Sequence, residues 1–336
     1  MELRLLLKRG GLLAAANWPV VAIQFVAQTT FQALLAVPVI GAAILVAVLL
    51  GGDLGNLLQG SLREIFTTIA DALVSEPIAL VAFIAAFGIV LVGGSVLMFL
   101  IKGGVVDVML AADAQAGPVE REALTLGNLR HGSCFTVERF VAACARLFRR
   151  YLVLGVALMM AYAVSGAAYL AFVIYGYRTL GAGGFVIEWT LIAALSAVAL
   201  VLWITSVNLI YLLLQIVTAI DDLAFGQAVR AVARFIRSEF LELGGVFLVV
   251  FGMVIGATFA SALAWSGVGL IAFVPLVGLA VFPLQIAALI LRGLVFEYIG
   301  LTAMGAYITL YRQYAAHADV THGITASSVA RSASAG

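Results

Sequence analysis

Charged residues are scarce in this sequence of 336 residues. Only 10% are Asp, Glu, Lys or Arg, whereas 64% are hydrophobic. Soluble domains contain roughly 25% charged residues and about half apolar ones, so this composition excludes an ordinary soluble fold. Because a helix needs about 20 apolar residues to cross the hydrocarbon core of a bilayer, the long uncharged runs predict an integral membrane protein.

Residues that carry chemistry are also few. The three histidines, His131, His317 and His322, lie outside the predicted spans, which argues against haem ligation inside the membrane. Cys134 and Cys144 form no Cys-x-x-Cys motif that would indicate a zinc site or a disulfide framework. Phosphate-loop and His-Glu-x-x-His motifs are missing too. We therefore expect no cofactor, no metal and no catalytic activity. The net charge of +1 gives no indication of a nucleic-acid partner.

Six apolar stretches are long enough to span a membrane. They lie at 31–50 (with a start as early as 20 as an alternative), 78–101, 151–175, 189–218, 244–264 and 283–311. The sequence thus predicts an all-α integral membrane protein, with about six transmembrane helices in three hairpins forming one domain at 1–314. The stretch 267–311 is long for one crossing and contains Pro275 and Pro283, so a seventh span is an alternative.

The basic residues predict the orientation of these spans. With a cytoplasmic N terminus, 13 of them fall in cytoplasmic segments, and the external loops hold only Arg63 and Arg178. Such a bias places both termini in the cytoplasm. The cytoplasmic segments are then the N-terminal arm, 102–150 and 219–243. Only two of the 18 basic residues are lysines, a bias that suggests a bacterial protein of the inner membrane.

Two segments outside the spans carry further expectations. The external loop 51–77 has apolar residues at helical spacing, which predicts a short helix on the outer membrane surface. The C-terminal segment 315–336 is rich in small and polar residues, and we expect a disordered cytoplasmic tail there.

Basic amphipathic stretches precede the predicted hairpins. In 137–151 and 225–240, apolar residues form one stripe and arginines occupy the other side, and 3–13 is a shorter third version. This internal repeat predicts interfacial helices whose arginines bind anionic lipid headgroups. The alternative is that any cytoplasmic loop collects arginines. The candidate headgroup contacts are Arg139, Arg146, Arg149, Arg150, Arg230, Arg234 and Arg237.

Polar residues inside the predicted spans form a second candidate site. They are Gln24, Gln28, Gln32, Asn208, Gln285, Arg292 and Glu297. We expect Glu297 to point into the bundle, with Asn208 and the Gln24–Gln32 stripe as neighbours, because Gly293 and Gly300 make its face smooth enough for a close helix. Such residues form either a cavity for a solute or lipid headgroup, or hydrogen bonds between helices.

Small residues recur every fourth position along the fifth span. They are Gly252, Gly256, Ala260 and Ala264. This stripe predicts close packing of another helix, either within the monomer or from a second copy.

One segment of the sequence resembles a known family. It runs Asp-Asp-Leu-Ala-Phe-Gly-Gln-Ala over 221–228 and leads into the basic stretch, and the closing Thr-Leu-Tyr-Arg at 309–312 is similar as well. This pattern resembles the membrane domain of some bacterial glycerophosphodiester phosphodiesterases and related six-helix bacterial membrane proteins. The resemblance implies a fold and no reaction, because no phosphodiesterase catalytic domain is attached.

Two functional classes remain. The first is a scaffold or accessory subunit of a membrane complex, which engages lipid headgroups, other subunits or a second copy. The alternative is a transporter or permease component with a polar intramembrane pathway. We favour the first, because transporters place broken helices and charges in both halves of a repeat, whereas the charges here gather in one hairpin.

Overall fold

The computed structural model describes residues 2–50, 77–121, 126–181, 185–272 and 275–334, and within these ranges the chain is helical and contains no strand. A π-helical turn, Tyr177–Gly181, follows α5. The α-helices are α1 Leu3–Ala16, α2 Trp18–Leu50, α3 Pro77–Gln115, α4 Leu126–His131, α5 Val137–Gly176, α6 Val186–Asp221, α7 Phe225–Ser238, α8 Phe240–Ala272 and α9 Pro275–Ser334.

Six of these helices are long and apolar enough to cross a membrane. The candidate spans are Trp18–Ala42, Leu80–Gln115, Val137–Thr179, Val186–Asp221, Phe240–Ala264 and Phe282–His317. α2 packs against α3, α5 against α6, and α8 against α9, which confirms the predicted three hairpins. α8 ends at Ala272 and α9 runs unbroken through Pro283, so the described residues after the fifth span make one further crossing.

Local sequence signals explain where several helices begin and end. The hydroxyl of Thr136 accepts a hydrogen bond from the backbone N–H of Arg139 and so caps the start of α5. Asp222 adopts a left-handed conformation, with φ of 53°, and ends α6. The chain then turns directly into α7.

The buried core lies at one end of the bundle, which we call the basic end. It comprises α1, α7, the first turns of α2, α5 and α8, the last turns of α3 and α6, and the middle of α9 over 301–314. Its largest fully buried side chains include Met109, Tyr151, Phe235 and Tyr307. The opposite half of the bundle exposes many large apolar side chains, which suits contact with lipid tails.

α1 packs along α9 at very close range. A Cβ atom built on Gly10 would lie only 2.2 Å from the backbone oxygen of Thr302, and one on Gly305 would lie 2.8 Å from the Cα of Gly10. Leu6 and Leu13 of α1 are fully buried beside this contact. The two backbones can meet this closely only because glycine has no side chain.

The Asp113 carboxylate joins three helices of the basic end. It accepts hydrogen bonds from Arg9 of α1 at 2.7 Å and from Thr309 and Arg312 of α9, each at 2.9 Å. Arg9 also donates to Glu120 at 2.8 Å. Burial acts to lower the pKa of Arg9, but the hydrogen bonds and charges of Asp113 and Glu120 outweigh it and raise that pKa above its usual value. Arg9 is therefore a fixed cation.

Several segment predictions need correction. The stretch 137–151 is no separate interfacial helix, because it forms the start of the continuous α5. The 40 residues of α5 extend about 60 Å, roughly twice the hydrocarbon thickness, so its first turns project beyond the bilayer.

The tail predicted to be disordered is helical over 315–334, where the chain contains no proline to interrupt α9. Residues 51–76, and with them the predicted surface helix, lie outside the described residues.

The small-residue stripe of α8 is not packed as one surface within the monomer. A Cβ on Gly252 or Gly256 would meet no atom of the described residues within 4 Å, whereas Ala260 and Ala264 line a shallow groove beside α9. No atom of the described residues packs against the two glycines, because regular spacing identifies a helix face but not its neighbour. Contact with a second copy stays a prediction.

Gly10→Ala should destabilise the protein strongly, because the new methyl group collides with the backbone of α9. Overpacking of this kind costs about 1–3 kcal/mol or more. The melting temperature of the detergent-purified protein measures the effect. Gly252→Ala is the matched control and should leave that temperature unchanged or slightly higher, since alanine favours a helix over glycine. A normal melting temperature for Gly10→Ala would refute the close approach of α1 and α9.

Asp113→Asn should also lower the melting temperature, because it leaves Arg9 and Arg312 facing an uncharged amide. Breaking a buried ion pair costs about 3–5 kcal/mol. Asp222→Asn is the control: its side chain is 79% exposed and pairs with Arg150, and exposed pairs contribute about 0–1 kcal/mol. Equal effects of the two substitutions on the melting temperature would show that the Asp113 contacts stabilise the protein no more than an exposed ion pair does.

Candidate functional site

A cavity of about 460 Å³ lies between α5 and the connection from α6 to α7. We call it the arginine pocket. One side carries Arg146, Arg149 and Arg150, which share a face of α5 in its extension beyond the bilayer. The other side is lined by residues that include Thr218 and Phe225.

The arginines of α5 differ in how they are paired. Arg139 and Arg146 both bind Asp107 of α3, at 3.0 and 2.6 Å, and Arg150 forms a bidentate pair with Asp222. Arg149 has no ion-pair partner among the described residues. Three of the four predicted headgroup contacts on α5 therefore already have a carboxylate partner. Sequence periodicity shows the face of one helix but not the acidic residues that neighbouring helices bring to it.

The paired arginines remain accessible to a competing anion. The Arg146 side chain is 64% exposed, and Asp222, the partner of Arg150, is more exposed still. Such pairs contribute little to stability in water, so a phosphate can displace a carboxylate at small cost.

Thr218 is a neutral polar residue of the arginine pocket. Its residue is almost fully buried, and its hydroxyl has no hydrogen-bond partner in the part of the chain that the structure describes. Buried hydroxyl groups nearly always have such a partner. Thr218 lines the arginine pocket, but its hydroxyl oxygen is buried and does not face the cavity.

α7 presents three further arginines to the outside. Arg230, Arg234 and Arg237 are exposed and line a second cavity of about 700 Å³, which also includes Gln227. The opposite face of α7 is buried in the core through Ala228, Val232 and Phe235. This arrangement, with one apolar and one basic face, is the one that the sequence predicts for an interfacial helix.

A polar groove of about 640 Å³ lies between α2 and α9 within the spans. We call it the membrane groove. Gln28 and Gln32 line it from α2, and Arg292 and Glu297 line it from α9. Gln24 donates a hydrogen bond from Nε2 to Oε2 of Glu297 at 2.5 Å. The structure thus brings together five of the seven residues of the predicted intramembrane site.

The other two predicted residues lie elsewhere. Asn208 accepts a hydrogen bond from the hydroxyl of Tyr162, which joins α6 to α5, so the expectation that it neighbours Glu297 is wrong. Gln285 does not line the membrane groove. Polar side chains in a bundle pair with the nearest helix, and the sequence does not show which helices are adjacent.

Lys102 of α3 lies near Glu297 without lining the membrane groove, although the sequence predicts it in a cytoplasmic segment. It interacts electrostatically with Glu297 across the α3–α9 contact, but no nitrogen–oxygen distance below 4.0 Å is present between these two side chains. The second predicted span ended at 101, directly before the charge of Lys102. The apolar residues that continue at 105, 106 and 108–110 could have shown that α3 extends further.

Neither cysteine suggests catalysis. Burial raises the pKa of the Cys134 thiol, and the positive charge of Arg139 offsets only part of this effect. Its thiol bonds Gln115 at 3.1 Å, while its backbone N–H donates to Asn17 at 2.9 Å. The thiolate is the nucleophilic form, so this cysteine is poorly reactive at neutral pH. Within the described ranges, no group of three His, Cys, Asp or Glu side chains could hold a metal ion.

The two sequence segments that carry the family resemblance meet in the structure, where the hydroxyl of Tyr311 donates to the carboxylate of Asp221. No family model, curated protein or solved structure matches this chain, so the resemblance stays a prediction. By the length and composition of its helices, the chain is a multi-pass membrane protein.

Proposed function

We propose that this chain is a non-catalytic membrane protein that binds anionic lipid headgroups at its basic end, as a scaffold or accessory subunit of a membrane complex. The arginine pocket is the observation that carries the proposal. It places Arg149, which has no ion-pair partner among the described residues, on one wall with Arg146 and Arg150.

The chemistry of the arginine pocket suits a lipid phosphate. Guanidinium groups bind phosphate oxygens through two parallel hydrogen bonds. Val153, Leu154 and Leu223 supply an apolar wall for the glycerol region of the lipid. A volume of about 460 Å³ lies within the range of about 300–1,000 Å³ for small-molecule sites.

The position of the arginine pocket supports the same ligand. The apolar part of α5 follows directly after Arg150, so the pocket lies where headgroups meet water. Each exposed arginine of α7 adds about 1 kcal/mol of attraction to an anionic surface. We place the basic end in the cytoplasm of a bacterium, because cytoplasmic loops of inner-membrane proteins carry excess Lys and Arg.

A transporter or permease component is the second candidate. The observation that favours it is the membrane groove, which places Gln28, Gln32, Arg292 and Glu297 beside one cavity within the spans. A solute that raises the melting temperature of the wild type but not of Glu297→Gln would support transport. If the Glu297→Gln substitution left the solute effect intact, binding in this groove would be excluded.

Arg149→Gln should weaken binding of phosphatidylglycerol to the purified full-length protein about fivefold, because one surface arginine contributes about 1 kcal/mol. Native mass spectrometry in detergent measures this affinity, and added salt should weaken it further. Arg121→Gln is the control, since Arg121 is exposed at the same end but lies outside the arginine pocket. Unchanged binding for Arg149→Gln, or equal losses for both variants, would contradict a specific site.

A further inference from the structure

The membrane groove presents opposite charges in a fixed order along α9. Arg292 and Glu297 both line it and are separated by about 7.5 Å along the helix axis. Glu297 lies nearer the basic end, where Ile299 begins the buried part of α9. A molecule that enters the groove from that side therefore meets the anion first and the cation deeper in the bilayer.

Arg292 needs an anion that the described residues do not supply. Its side chain is exposed within the span, where its guanidinium carbon lies 5.7 Å from the ring centre of Phe296. It forms no ion pair with a described carboxylate. A charged arginine at this depth is costly unless it is paired, and the phosphate of a lipid is the anion that a membrane provides.

Glu297 offers unused acceptor capacity at the groove. Its Oε2 accepts the hydrogen bond from Gln24, and Lys102 stays outside ion-pair distance. The carboxylate lines the groove and forms no ion pair with a described cation, so it suits a ligand group with a positive charge and several N–H donors.

We propose that the membrane groove binds one phospholipid with a primary amine in its headgroup, with the phosphate at Arg292 and the ammonium group at Glu297. In such a lipid the phosphate is joined to the glycerol and so lies deeper than the amine. A lipid of the leaflet at the basic end has this order, and a lipid of the opposite leaflet would meet the charges reversed. Ile286, Leu289 and Ile290, which lie deeper than Arg292 along α9, contact its acyl chains.

This site differs from the arginine pocket in the lipid it selects. The arginine pocket offers cations and suits any anionic headgroup. The membrane groove offers both charges and suits a zwitterion. The inference therefore does not depend on the proposed function.

Titration of the delipidated full-length protein with single lipids, followed by native mass spectrometry, tests the proposal. Phosphatidylethanolamine should bind more tightly than phosphatidylcholine, because a trimethylammonium group has no N–H to donate to Glu297. Glu297→Gln keeps the shape of the side chain and should weaken phosphatidylethanolamine binding about tenfold, which removes the preference. Arg292→Gln should weaken both lipids, whereas Arg292→Lys keeps the charge and should retain most of the affinity.

Arg121→Gln is the matched control, because Arg121 is exposed and lies outside the membrane groove, so this variant should leave phosphatidylethanolamine binding unchanged. Melting temperatures without lipid identify any variant that fails to fold. If Glu297→Gln fails to fold, the comparison of Arg292→Gln with Arg292→Lys tests the proposal instead. Equal wild-type affinities for phosphatidylethanolamine and phosphatidylcholine would overturn the proposal. A preference that survives Glu297→Gln, or an Arg292→Gln variant with wild-type affinity, would overturn it too.

Discussion

The buried carboxylate of Asp113 fixes the first, third and last helices of the bundle relative to one another. Arg9 and Arg312 approach it from two sides, and Thr309 donates a further hydrogen bond. A buried charge with fewer partners would destabilise the fold. By holding α1 and α3 against α9, these contacts also set the position of α9 beside α2. The membrane groove therefore depends on an ion cluster that lies outside it.

The helices are much longer than a bilayer is thick, and the excess length explains where the core forms. Helices of 33 to 40 residues extend about 50–60 Å, against a hydrocarbon core of about 30 Å. The turns that project at the basic end bury leucine, tyrosine and phenylalanine side chains against one another. Inside the bilayer, lipid tails solvate apolar side chains as well as protein does, so the spans need no comparable core.

Hydrophobic patterning predicted the six spans and the three hairpins, because these depend on residues close together in the sequence. It could not predict the partners of the charges, since Arg9 and Asp113 are 104 positions apart and Asp113 and Arg312 are 199 apart. The same limit applies to glycine: the regular stripe at Gly252 meets no atom of the described residues, whereas Gly10 makes the close contact without any repeat. The charge of Lys102 was taken as the end of the second span, but α3 continues to Gln115.

The packing of α1 against α9 has a consequence for biosynthesis. The hydroxyl of Tyr298 donates to the backbone oxygen of Gly11, a contact that spans 287 positions of the chain. The ribosome makes α1 first and α9 last, so the glycine face of α1 has no partner while the intervening spans are inserted. Arg9 can meet Asp113 as soon as α3 is complete, but Thr309 and Arg312 arrive only after the final span. Closure of the bundle is thus the last step of its assembly, and a chain that stops before α9 would display an unpaired α1 to the proteases and chaperones that survey the membrane surface.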